Sequence, residues 1–264
     1  MASEKIKAVL FDLGDTILNF GRIKSSELFK DAARGSHAFL EECQQPVARM
    51  LAYGLVNLFG LRFNHLISNI TGKDFDSLLL LKKYGDKRGF DLPVEQWQEI
   101  NWLWYLPLRQ KTTLEADVAG TLEKLKAMGL KLGIISNTFV NGHALDRHLE
   151  EEGLLGFFPM RLYSYQFDFR KPDKRIFLEG AKRIEVDPRN IMYIGDRIDK
   201  DVKGAVRAGM TPVLKKAYTN EGKKVPEGTH KIDTIAQLPD LIEKLNKQQR
   251  SPDTKQAGTY VPCL

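Results

Sequence analysis

Four short apolar runs punctuate the chain, Ile6 to Phe11, Lys131 to Ile135, Met160 to Tyr163 and Ile191 to Ile194, and a weaker fifth covers Pro212 to Leu214. Each gives way to polar or glycine-containing residues. Runs this short, without alternation, suit strands buried on both faces, as in a parallel sheet. Segments of helical period lie between them. Val118, Leu122 and Leu125 share one face, with Asp117 placed to cap the start and Gly129 to end the helix; Asp173 to Ile184 and Lys200 to Ala208, closing at Gly209, read the same way. Strand alternating with helix predicts an α/β fold with a doubly wound parallel sheet.

The rhythm breaks between Gly21 and Gln110, where no run reads as a strand and helical faces recur at Leu28, Phe29, Ala32 and Ala33, at Leu78 to Leu81 and at Trp97 to Leu106. The pattern predicts a core from 1–20 and 113–246, an all-helical insertion over 21–112 and a disordered polar tail over 247–264. The most hydrophobic stretch, Val47 to Ile70, is interrupted by Arg49, Asn57, Arg62, Asn64 and His65. It reads as a buried helix or helix pair, not a membrane span.

The 264 residues are 42% hydrophobic and 28% charged, ordinary values for a globular protein. Forty basic residues against 34 acidic ones leave a modest +6, spread along the chain apart from a cluster between Lys215 and Lys231, and no nucleic-acid motif accompanies it. The two cysteines, Cys43 and Cys263, form no disulfide framework, and the fourth residue from the end is Val261, so a prenylation box is absent. The expectation is a cytoplasmic protein with neither a nucleic-acid nor a membrane partner. The five histidines have no metal-ligand spacing. Oligomeric state is not readable.

Ligands of open parallel sheets bind beyond the carboxyl ends of the strands. The first strand ends in Asp12, the second in Ser136-Asn137 and the fourth in Gly195-Asp196 with Asp201 following, while Lys171 precedes the helix after the third. Phosphoryl transfer through a covalent intermediate needs a carboxylate nucleophile, carboxylates for a metal, and hydroxyls or cations for the non-bridging oxygens. Four strand ends supply each type. Asp12 can attack phosphorus, Asp12 and Asp196 can share Mg²⁺, Ser136 can donate to phosphate and Lys171 can neutralise it.

In these motifs the chain resembles the haloacid-dehalogenase superfamily of phosphatases and dehalogenases. Asp12-Leu13-Gly14-Asp15-Thr16 stands where the family has D-x-D-x-T; Ser136, Lys171 and the acidic stretch Asp196 to Asp201 match its later motifs in order. The resemblance implies a Rossmann-like core with an inserted helical cap. It also implies Asp12 as nucleophile, Ser136 and Lys171 as phosphoryl contacts with Asn137 beside them, and Mg²⁺ held by Asp12, the Gly14 carbonyl and Asp196 with Asp201 in support. The substrate is expected to be a small phosphorylated, or halogenated, molecule.

One position departs from the pattern. The family's second aspartate, the general acid and base of its phosphatases, is Gly14 here, and an aspartate follows one place later as Asp15. Asp15 is a candidate substitute, although successive side chains of an extended segment point to opposite sides. Losing a general acid costs on the order of 10²–10⁴-fold. Three readings therefore stay open: a Mg²⁺-dependent phosphatase, which is the primary expectation, a metal-independent C–halogen hydrolase, and a weakly active or inactive member that binds through the same cleft. Within the insertion, Arg49, Arg62 and Arg109 are candidate anion contacts, and Trp97, Trp102, Trp104 and Tyr105 a candidate wall, against the simpler reading that aromatic residues at helical spacing pack a core.

Overall fold

The computed structural model describes residues 5–22 and 25–248. At its centre lie six parallel strands in the order β3-β2-β1-β4-β5-β6. They are β1 (Ala8–Phe11), β2 (Lys131–Ser136), β3 (Met160–Tyr163), β4 (Ile191–Gly195), β5 (Thr211–Lys215) and β6 (His230–Ile232). The helices are α1 (Ser25–Glu42), α2 (Met50–Thr71), α3 (Ser77–Asp86), α4 (Val94–Arg109), α5 (Val118–Ala127), α6 (Gly142–Glu151), α7 (Lys174–Ile184), α8 (Lys203–Arg207) and α9 (Leu238–Gln248).

Strand alternation sorts the side chains into two layers. Val9, Phe11, Leu132, Ile134, Met192 and Ile194 enter one cluster with Leu122 and Leu125 of α5, Leu145 and Leu149 of α6 and Ile242 of α9. Ala8, Leu10, Ile135, Ile191 and Tyr193 enter the other with Ile176, Phe177 and Ala181 of α7 and Ala205 of α8. A sheet covered on both faces has no solvated side, which is why its strands read as continuous apolar runs. Strand order reverses beside β1, so the carboxyl ends of β1, β2 and β4 converge on the crevice where doubly wound folds bind ligands.

Helices α1 to α4 occupy the stretch between β1 and α5 in which no run reads as a strand. Leu40, Tyr53, Leu78, Leu81, Phe90, Trp97 and Ile100 form their own core. Where the chain leaves and re-enters the sheet region, Asn19 and Thr113 exchange backbone hydrogen bonds of 2.9 and 3.0 Å. Among the described residues no helix is long and apolar enough to cross a membrane.

The structure departs from the sequence reading at several places. β6 escaped notice because it is three residues long at the sheet edge and buries only Ile232. Asp117 does not cap α5 through its side chain; it adopts a left-handed backbone with φ of 58°. The helix expected from Lys200 begins as a π-turn over Ile198–Val202 and becomes α-helical only at Lys203. Helix α2 is not buried: one face packs through Tyr53, Asn57, Gly60, Leu61 and Ser68, while Leu51, Phe59, Phe63 and Ile70 are 62–77% exposed. Of the expected tail, Lys247 and Gln248 belong to α9, and residues 249–264 lie outside the described residues.

Candidate active site

Strand β1 ends at Phe11, and the next residue, Asp12, is 9% exposed. Its Oδ1 accepts the Leu13 backbone N–H at 2.8 Å and lies 2.7 Å from the Lys171 ammonium. Lys171 is itself 2% exposed, 2.7 Å from Asp201 Oδ1, and donates to the Tyr193 hydroxyl at 2.9 Å. Burial disfavours the ammonium, but Asp12 and Asp201 outweigh it, so its pKa is raised. Asn137 fixes the loop that carries this lysine: its amide donates to the Lys171 carbonyl and its carbonyl accepts the Lys171 N–H, both at 2.9 Å.

Asp196 follows β4. Its carboxylate is bonded by the Thr219 hydroxyl, and its backbone carbonyl accepts from Asn220 Nδ2 at 2.8 Å. Asp201 reaches the site from the π-turn. Both its oxygens are engaged, Oδ1 by Lys171 and Oδ2 by the Arg197 N–H at 2.9 Å. The closeness depends on Gly195, where a Cβ would lie 2.3 Å from Asp201 Cγ.

Carboxylate oxygens of Asp12, Asp196 and Asp201 lie within 4.8 Å of one another. Burial, then the charges of Asp12 and Asp201, pushes Asp196 up to about 7. Asp201 is pushed up to about 6, by burial first, with Lys171 opposing and Asp12 adding to the rise. Three buried carboxylates against one ammonium form an oxygen-only donor set with excess negative charge, which suits a hard divalent cation.

Gly14 and Asp15 line the cavity of about 230 Å³ formed with Asp12, Lys171, Asp196 and Asp201. A Cβ on Gly14 would lie 3.0 Å from the Phe20 ring, so Phe20 would have to give by a few tenths of an ångström to admit a side chain at position 14. Asp15 is left-handed, with φ of 53°. Its Oδ1 accepts the N–H groups of Phe20 and Gly21 at 3.0 Å each, and the Tyr218 phenol is raised by burial first and then by the charge of Asp15 and a hydrogen bond to it.

Asp12 also opens onto a second cavity, of about 280 Å³, between the sheet and the inserted helices. Ser136 and Asn137 stand on its sheet side with Arg170 and Lys200, and His65, Asn69, Asp74 and Tyr105 on its helical side. The structure thus brings together every residue singled out by the strand-end reading. Arg49, Arg62 and Arg109 do not line either cavity: Arg109 pairs with Glu151 and Glu152, and Arg62 lies over the Phe29 ring. The cations that do are Arg170 and Lys200 in the larger cavity and Lys171, Arg197 and Lys200 in the smaller one. Arg170 pairs with the buried Asp74 at 2.6 Å. Nothing in the sequence distinguished Arg170 from the other basic residues, because its partner lies ninety-six positions away. Thr219 and Asn220, which hold Asp196, likewise carried no motif. Of the proposed aromatic wall, Trp97, Trp102 and Tyr105 pack into cores and Trp104 packs against one, and Tyr105 also lines the cavity.

A family model described as a haloacid dehalogenase-like hydrolase matches residues 6–209. The chain is 30% identical over 260 residues to a glyceraldehyde 3-phosphate phosphatase of Methanopyrus kandleri, across 92% of this chain and 99% of that one. It is 31% identical over 255 residues to a protein of the same name from Methanocaldococcus jannaschii, across 92% and 99%. Among solved structures, a HAD phosphatase from Thermococcus onnurineus superposes with a TM-score of 0.57 at 23% identity, over 90% of this chain and 98% of that one. A 2-haloacid dehalogenase from Pseudomonas syringae gives 0.56 at 24%, over 91% and 99%. At those identities the structural likeness shows the fold alone.

Proposed function

The chain belongs to the haloacid dehalogenase-like hydrolases, and we propose that it is a Mg²⁺-dependent phosphatase of a small phosphorylated metabolite, acting through an aspartyl phosphate on Asp12. The observation that carries this reading is the placement of Lys171 Nζ 2.7 Å from both Asp12 and Asp201. Such an ammonium holds the Asp12 carboxylate in place beside the cavity and meets the negative charge of an incoming phosphoryl group. The relatives named as phosphatases support the same reaction class.

In this reading an Asp12 oxygen bonds to phosphorus as the ester oxygen departs, and water then cleaves the acyl phosphate, restoring Asp12 and releasing phosphate. Ser136 and Lys171 hold the non-bridging oxygens. Asn137 sets the position of Lys171. The Asp12 carboxylate, the Gly14 carbonyl and Asp196 would hold Mg²⁺, with Asp201 as the residue that orients Lys171 and the turn after β4. Bound there, the ion would neutralise charge on the phosphoryl group and align it with Asp12. Asp15 serves the loop: its carboxylate gathers two N–H groups and the Tyr218 hydroxyl and so fixes the backbone on which Gly14 sits. Residues 21–112 act as the cap over the site.

With no acid at position 14, the departing oxygen takes its proton from water, which favours aryl and acyl phosphates over alkyl ones. A halide leaves without a proton, so the same feature keeps a C–halogen hydrolase as the second reading. Phosphate release from an aryl phosphate, measured with and without chelator, separates the two. The phosphatase is expected to stop with chelator; halide release from a 2-haloacid that ignores chelator would replace it. Binding of a phosphate mimic with no turnover of either substrate class would leave a binding protein.

A further inference from the structure

Beyond the Asp12 cavity lies a recess of about 290 Å³ that shares Tyr105, Leu108, Phe139 and Val140 with it and is otherwise lined by apolar side chains of the inserted helices, among them Leu28, Phe29 and Leu61. Its polar feature is the pair Ser77 and Asn101. Asn101 is 2% exposed; its carbonyl accepts the Ser77 hydroxyl at 2.6 Å, while its Nδ2 has no partner among the described residues and is itself buried, so a ligand in the recess meets it once the amide turns outward. Buried amide donors are almost always satisfied, and binding sites are apolar recesses with a few placed polar groups.

We propose that this recess takes the organic part of the phosphorylated substrate, an aromatic or branched apolar group bearing one hydrogen-bond acceptor for Asn101 Nδ2. The assignment of substrate class rests on the phosphatase reading. A three-carbon polar phosphate would leave the recess unfilled and Asn101 unpaired.

Two phosphates of one shape test this: 2-(4-acetylphenyl)ethyl phosphate, with a carbonyl acceptor, and 2-(4-ethylphenyl)ethyl phosphate, without one. One hydrogen bond is worth roughly 2- to 10-fold, so the acetyl compound is expected to show a KM lower by that factor, and Asn101→Leu to equalise the two. Leu28→Trp, which fills the recess, is expected to raise both. Independently, 2-(4-acetylphenyl)ethanol is expected to quench tryptophan fluorescence, more weakly in Asn101→Leu. Alcohol binding that depends on Asn101, without turnover of any phosphate, would uphold the recess and remove the phosphatase reading. A lower KM for glyceraldehyde 3-phosphate, with no binding of the alcohol, would overturn the inference.

A different surface carries a second inference. Along α2 the exposed residues Leu51, Leu55, Phe59, Phe63, Leu66 and Ile70 recur every three or four positions, with Met50, Val56 and Ile67 beside them, at exposures of 37–77%. From these fractions the face leaves about 900 Å² of largely apolar surface open, against the ~800 Å² each partner gives a standard interface and the ~300–600 Å² of a typical monomer's largest patch. We infer that a second copy of this chain covers it, with the two α2 helices antiparallel about a two-fold axis. The stripe is self-complementary in that direction: Leu51 would meet the partner's Ile70, Leu55 the partner's Leu66, and Phe59 the partner's Phe63. Residues 50–71 hold no carboxylate and no lysine, and the one arginine, Arg62, lies over Phe29, unlike the cationic polar face of a membrane-surface helix.

Sedimentation equilibrium of the full chain is expected to show a dimer, and Phe59→Asp/Phe63→Asp a folded monomer by circular dichroism. In a Cys43→Ser/Cys263→Ser background, Leu55→Cys/Leu66→Cys is expected to form a disulfide-linked dimer. A wild-type monomer at the highest soluble concentration, or a monomer that co-sediments with phosphatidylserine vesicles, would overturn it.

Discussion

The Lys171 ammonium stands 2.7 Å from the Asp12 carboxylate, with Lys171 2% and Asp12 9% exposed. An ion pair so far from water holds only because each charge meets another, and Asp201 on the far side of the lysine makes the arrangement a triad. Removing the central cation leaves two carboxylates facing one another across the space it occupied. For Lys171→Met the expected cost is about 3–5 kcal/mol in urea unfolding and about 10²–10³-fold in kcat. Stability within 1 kcal/mol of wild type would show that the pair contributes little.

Metal-free stability should depend on pH in an unusual direction. Asp196 and Asp201 are raised from 3.8 to about 7 and about 6. Between those limits the folded chain holds more protons than the unfolded chain, so the slope of unfolding free energy against pH is negative and stability is lost as pH rises toward 7. In chelator, the melting temperature is expected to fall by several degrees between pH 5 and 8, and to fall less in Asp196→Asn. Added Mg²⁺ should raise it more at pH 8 than at pH 5. Identical pH profiles for wild type and Asp196→Asn would contradict this origin.

At Gly195, space and chemistry are tied together. A methyl group there would press on the Asp201 carboxylate, which is fixed on both oxygens and cannot swing away. Gly195→Ala is expected to destabilise by about 1–3 kcal/mol and to weaken Mg²⁺ binding measured by titration calorimetry. Unchanged Mg²⁺ affinity would show that Asp201 can move without consequence.

Supplying the missing acid requires room as well as a carboxyl group. Because Phe20 lies 3.0 Å from where a Cβ on Gly14 would be, Gly14→Asp alone is expected to gain little. Gly14→Asp/Phe20→Ala is expected to raise alkyl phosphate turnover by roughly 10²-fold and aryl turnover by less. Equal gains for both leaving groups would remove the protonation argument.

The sequence made the sheet and its strand-end residues legible for one reason: buried parallel strands are short apolar runs, and the residue after each run must face the crevice. Asp12, Ser136 and Asp196 were found that way, and Lys171 from its place before the helix that follows β3. Thr219, Arg170 and Phe20 were not, because each acts through a partner brought close only by folding: Asp196 for Thr219, Asp74 for Arg170, Gly14 for Phe20. Periodicity showed that α2 is apolar but not which side it buries. Leu61 and Phe63 look alike in sequence, and only packing against neighbouring helices puts one inside and the other out.

The most direct test of the account asks whether Asp12 carries the phosphoryl group. Wild-type protein is mixed with Mg²⁺ and an aryl phosphate, quenched in acid within a turnover, and its peptides are weighed. One added phosphoryl group is expected on the peptide containing Asp12, and neither the adduct nor phosphate release in Asp12→Asn. Turnover by Asp12→Asn at the wild-type rate, or turnover by wild type with Asp12 never labelled, would contradict the covalent mechanism.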